Sequence, residues 1–121
     1  MAGEALARVQ DEINREKANS LARAGGRLQE AICALRLIRH EIEALETARA
    51  RPADASLDAP EAALRRRAEY SVVRRAALQL RHNLIVQREA MGFRNQRDLD
   101  RCYPVPGPLS PPETDRLERF S

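Results

Sequence analysis

At 121 residues and 13.6 kDa the chain has the length of one modest domain, with 21 basic and 18 acidic residues, a net charge of +3, four aromatics and 20 alanines. That composition belongs to long helices and excludes a sheet protein, which draws on valine, isoleucine, threonine and aromatic residues. The sequence has no run of 18 apolar residues, no signal-peptide pattern in MAGEALARVQDE, and two well-separated cysteines, so a cytoplasmic setting with reduced thiols and no membrane contact is expected.

The first element is free of proline from about residue 3 to residue 50. Leu6, Val9, Ile13, Leu21, Leu28, Ile32, Leu35, Ile38, Ile42 and Leu45 recur at helical spacing and predict one long helix. From Leu28 the pattern tightens to steps of seven, Leu28–Leu35–Ile42 and Ala31–Ile38–Leu45, the a/d seam of a short coiled coil. Leu28, Leu35 and Ile42 are therefore candidate interaction residues. Cys33, beside that seam, is expected as a small buried group. Gly25 and Gly26 each cost a helix about 1 kcal/mol relative to alanine. With Ala22 and Ala24 they form a small-residue patch, expected to let another backbone cross closely rather than to act as a hinge.

Arg51–Ala59 (RPADASLDA) reads as a turn, because Pro52 pushes Arg51 out of the helical region. A helix start follows at Asp58-Ala-Pro-Glu61, with Asp58 as cap, Glu61 closing a capping box and Pro60 needing no donor in the first turn. The second helix is predicted over about 59–91, stopped by Gly92 in the left-handed conformation. Its larger apolar groups are Leu64, Val72, Val73, Leu80, Leu84, Ile85 and Met91, with Ala68, Ala76 and Ala77 between them. Two long helices with a short connector imply an all-α antiparallel hairpin over residues 1–92. In a hairpin turning near residue 54, Arg65, Arg66 and Arg67 stand beside Glu41 and Glu43, and Arg75 or Arg81 near Glu30. The i,i+4 pairs Glu61–Arg65, Arg65–Glu69 and Arg39–Glu43 add local support.

Residues 93–121 read differently, since five of the seven prolines fall between positions 104 and 112. Asn95–Asp98 can cap one helical turn around Leu99, and Tyr103–Pro108 is expected as irregular, polyproline-like backbone. Ser110-Pro-Pro-Glu113 repeats the capping signature for a final short helix through Phe120. Phe93, Leu99, Tyr103, Val105 and Leu109 favour a strap packed on the hairpin, which also accounts for the bare PxxP spacing of Pro108-Leu-Ser-Pro111.

Length then sets a requirement. A helix over residues 3–50 is about 70 Å long, against about 48 Å for the second. The first helix must overhang, exposing Leu6, Val9 and Ile13. We expect both the tail and a second chain to cover them, the latter in a homodimer forming a four-helix bundle.

Arg67, Arg74, Arg81 and Arg88 fall seven apart, within a stretch from Leu64 to Arg101 that holds ten arginines and four acids. The leading reading is a solvated, ion-paired face. The alternative is a row of phosphate contacts in a nucleic-acid-associated protein, although no aromatic interrupts the row for base stacking. His40 and His82 sit at levels about 20 Å apart, too far for shared metal ligation. Neither cysteine has an activating neighbour, and Ser71 and Ser110 lack a nucleophile elbow. No catalytic residue, metal or cofactor is expected, and the function reads as a self-associating protein-interaction or structural module.

Two segments resemble a family of short uncharacterised bacterial helical proteins of unknown function. Glu16-Lys-Ala-Asn-Ser-Leu-Ala-Arg-Ala-Gly-Gly-Arg-Leu-Gln-Glu30 is similar to that family's first helix, and Val86-Gln-Arg-Glu-Ala-Met-Gly-Phe-Arg94 to a later segment followed by a tyrosine–proline region like Tyr103-Pro104. The resemblance covers about half the chain and implies a bacterial source. It also implies that Gln87, Arg88, Glu89 and Arg94 form a recurring cluster, and these four are further candidate interaction residues. Read from their position, Arg88 and Glu89 stand where the tail turns back and are expected to tie it to the helices, the alternative being a partner-binding surface.

Overall fold

Proline is absent from residues 1–51 of this sequence and concentrated in residues 104–112, and the backbone divides accordingly. The computed structural model describes residues 2–50 and 59–111. They form α1 (Ala2–Ala50), α2 (Ala59–Ala90) and the short α3 (Arg97–Cys102), with no strand among the described residues. The long helices begin and end within one residue of the expected bounds. The turn over Arg51–Ala59, the Asp58 cap and the final helix to Phe120 fall on residues 51–58 and 112–121, outside the described set.

The end of α2 follows from Gly92, whose φ of 94° is the left-handed conformation that a side chain disfavours. The Gly92 amide donates to the Glu89 carbonyl at 3.0 Å and the Phe93 amide to the Arg88 carbonyl at 2.9 Å, a Schellman closure of the last turn. Phe93 then turns back against Arg88, whose guanidinium lies 5.4 Å from the ring centre. The chain re-enters a helix at α3, where Asn95 Oδ1 accepts the Arg97 amide at 3.0 Å.

One core joins the pieces. Ala24, Leu28, Ile32, Leu35, Ile38 and Ile42 of α1 pack with Tyr70, Ala77 and Leu84 of α2 and with Leu99 of α3. Burying a side chain of leucine or isoleucine size is worth about 1.5–3 kcal/mol relative to leaving it in water. Arg39 stands over the Tyr70 ring, Glu41 meets Arg66 at 2.9 Å and Glu46 meets Arg67 at 2.6 Å. These contacts set residues 39–46 of α1 beside residues 66–70 of α2.

Several expectations change. Leu28, Leu35 and Ile42 are buried inside the chain's own core, so they join α1 to α2 and are closed to a partner. Cys33 is exposed rather than buried, as is Cys102. Leu64 and Val72 point outward, and the large buried side chain of α2 is Tyr70, which alternation of aliphatic residues did not signal. The predicted partner of Arg81 is replaced: it pairs with Asp100 of α3, not Glu30. Arg66 bonds Glu69 at i+3, in place of the expected i,i+4 pairs of Arg65. At Gly25 the close approach is made by a side chain, since a Cβ there meets Tyr103 Oη at 2.5 Å, whereas Gly26 has open space. The helix runs unbroken through both glycines.

With 49 residues against 32, α1 outreaches α2 by about 25 Å. Leu6, Val9 and Ile13 are accordingly 70%, 53% and 41% exposed. The expectation that the tail folds over them is overturned among the described residues. The tail passes Gly25 at Tyr103, Arg39 at Gly107 and Arg67 at Ser110, and so runs along α1 away from the overhang.

Candidate functional site

Prolines at 104, 106, 108 and 111 leave the strap with few backbone donors but a full set of carbonyl acceptors. It runs without regular structure from Pro104 to Pro111 and therefore needs donors from elsewhere. The two long helices supply them from side chains. Tyr70 Oη donates to the Gly107 carbonyl at 2.7 Å, and Arg39 Nη2 donates to the same oxygen at 3.0 Å. Arg74 Nε donates to the Pro106 carbonyl at 2.9 Å and Arg67 Nη1 to the Ser110 carbonyl at 2.8 Å. Tyr103, Val105 and Leu109 press their apolar groups onto the helical core between these bonds.

This cradle accounts for the arginine row. Arg67, Arg74, Arg81 and Arg88 lie one turn-pair apart along α2 because seven residues nearly complete two helical turns. All four face the C-terminal segment: Arg67 and Arg74 hold strap carbonyls, Arg81 holds Asp100 of α3, and Arg88 stacks on Phe93. Arg67 and Arg81 are ion-paired, as the leading reading expected, but the row lies partly covered by the C-terminal segment rather than solvated. Its guanidiniums are engaged within the chain rather than forming a free line of phosphate contacts. Arg67 is fixed further by Glu46, whose carboxylate accepts from Nε at 2.8 Å. Donation from a charged guanidinium makes each of these bonds stronger than its neutral counterpart.

Electrostatics around the cradle is modest. Arg66 sits between Glu69 and Glu41, and its hydrogen bond to Glu69, followed by attraction to both carboxylates, raises its pKa above the ordinary arginine value. Its contact with Glu41 is an ion pair by distance but is not aligned as a hydrogen bond, so Glu41 Oε2 stays without a donor. At the α2–α3 corner Arg88 Nε and Gln96 Oε1 are also buried without partners. In the cluster implied by the resemblance, Arg88 and Gln87 are half-buried and Glu89 and Arg94 exposed. The backbone carbonyls of Gln87, Arg88 and Glu89 close the helix end, and of the four side chains Arg88 engages the tail through Phe93.

A second groove lies beside the strap, lined by Arg39, Ile42, Glu43, Glu46, Arg67 and Leu109, with a volume of about 330 Å³. Arg67 and Glu46 already pair within it, and Arg39 is taken up by the Gly107 carbonyl. Among the described residues no three His, Cys, Asp or Glu side chains gather as metal ligands, and no helix is long and apolar enough to cross a membrane. Tyr70 and Arg39 are the site residues that sequence reading missed. Their signal was an aromatic and a basic residue at facing levels of the two helices, legible only once the register is known. The chain matches no family model, no curated protein and no solved structure.

Proposed function

We propose that this chain is a non-catalytic structural or interaction module of the bacterial cytoplasm: a strap-braced antiparallel helical hairpin that works by associating with itself. The observation that supports this reading is the uncovered apolar edge of α1, where Leu6, Val9 and Ile13 stand out in water while the tail braces the opposite end. Apolar side chains grouped on one helix face mark a contact surface more often than isolated ones do. The strap supports the same reading, because it stiffens the hairpin without adding a reactive group. A pair of copies brings four long helices together. For a compact four-helix bundle the outward side of α2 offers Leu64, Val72 and Val86, but Arg75, Gln79 and His82 occupy the heptad positions between them. Sedimentation across concentration tests the proposal. The average mass should climb toward twice the 13.6 kDa chain mass, and a single-chain mass persisting at about 100 µM refutes self-association.

A further inference from the structure

We infer that the overhang of α1, residues 2–18, docks against the same segment of a second copy, laid antiparallel along the line that α2 leaves at Ala90. The inference rests on the self-association reading and specifies its surface.

Leu6, Val9 and Ile13 are spaced by three and four residues, the stripe that a partnering helix covers. Through the half-buried Leu21 and the buried Ala24 this stripe leads into the face that α2 covers. An element that continues the cover must therefore be helical and must start where α2 stops. The overhang of a second copy meets both conditions. Two such segments, each about 25 Å long, cover one another fully when they run in opposite directions. The N-terminal end of one α1 then approaches the C-terminal end of the other copy's α2, a favourable meeting of opposite helix-dipole ends.

Charge selects the direction. Glu12 and Glu16 flank the stripe on one side. Parallel, in-register pairing sets each glutamate against its own copy. An antiparallel pairing with its two-fold axis between Val9 and Gln10 places Leu6 across from Ile13, Glu12 across from Ala7 and Glu16 across from Gly3. Like charges are thereby separated and the large apolar residues matched. The segment is short beside a standard interface of about 1,600 Å², so the affinity belongs in the micromolar range. The assembly has two helices in cross-section throughout.

The test uses the full chain with Cys33→Ala and Cys102→Ala as background. Leu6→Cys chains mixed with Ile13→Cys chains should give the mixed disulfide dimer on mild oxidation, with little Ile13→Cys self-crosslink. In the native-cysteine chain, Val9→Asp should halve the average mass at a concentration where the parent is dimeric, with helical circular dichroism unchanged. Efficient Ile13→Cys self-crosslinking establishes a parallel pairing and overturns the inference. So does a dimer that survives Val9→Asp but is lost on Val72→Asp, which moves the contact to the outer face of α2. In both of those cases self-association itself stands. A parent that stays monomeric refutes both readings.

Discussion

Gly25 and Gly26 are adjacent in one helix, yet their replacement by alanine should act in opposite ways. In the interior of α1 each substitution removes backbone freedom from the unfolded chain and gains about 1 kcal/mol of helix propensity. At Gly26 nothing lies within 4 Å of the added methyl, so the full gain of about 1 kcal/mol should appear, raising Tm by roughly 3–6 °C for a chain of this size. At Gly25 the new Cβ falls 2.5 Å from Tyr103 Oη and 3.3 Å from Cζ. Tyr103 must withdraw, loosening the first anchored residue of the strap, at an overpacking cost of about 1–3 kcal/mol. The net for Gly25→Ala is thus about 0–2 kcal/mol of destabilisation. Adding Tyr103→Phe removes the atom at 2.5 Å and leaves the 3.3 Å contact, so Gly25→Ala should cost less in that background, with a coupling of about 0.5–2 kcal/mol. Urea unfolding followed by circular dichroism measures all four chains of the cycle together with Gly26→Ala. If Gly25→Ala stabilises as much as Gly26→Ala, and Tyr103→Phe leaves the difference at zero, the strap does not rest on α1 at this level and the cradle is wrongly drawn.

Other outcomes follow from the same contacts. Tyr70→Phe removes one of the two donors to the Gly107 carbonyl and should cost about 0.5–1.5 kcal/mol, whereas Tyr70→Ala, which empties a core position only 1% exposed, should cost about 3–5 kcal/mol in urea unfolding. Arg74→Ala should raise hydrogen exchange and proteolytic cleavage at the strap and spare the α1–α2 core; equal protection of the strap in both proteins counts against the bond to Pro106. Asp100→Ala should change stability by less than about 1 kcal/mol, because that carboxylate is 70% exposed and solvent screens its pair with Arg81. Both thiols should react with iodoacetamide in the native state at rates close to those in urea, since Cys33 and Cys102 are exposed.

The helices were legible because their signals are local. A proline-free run, Pro60 at a helix start and Gly92 at a helix end act within a few residues, and the observed bounds agree to within one. The Leu28–Leu35–Ile42 seam was legible for the same reason, since heptad spacing survives any tertiary arrangement. What the seam faces was not. Tyr70 goes inward and Leu64 and Val72 outward, a choice made by which side of α2 meets both α1 and the strap. The strap has no periodicity, so its contacts could not be read in advance. The arginine spacing was found, but its meaning depended on knowing that proline-rich backbone passes over it. Cys33 shows the limit from the other side: a position beside a buried seam is, one residue further round the helix, in water.

The cradle grips the strap by main-chain oxygen atoms, and every residue type carries one. Substitutions at the exposed strap positions Pro104, Gly107, Pro108 and Ser110 leave those oxygens in place, whereas loss of a guanidinium or of the Tyr70 hydroxyl removes a donor outright. Sequence drift should therefore be lopsided across this contact, permissive on the strap and restrictive on the helices. A descendant of this chain can carry an altered strap and remain recognisable through the spacing of Arg39, Arg67, Tyr70 and Arg74 alone.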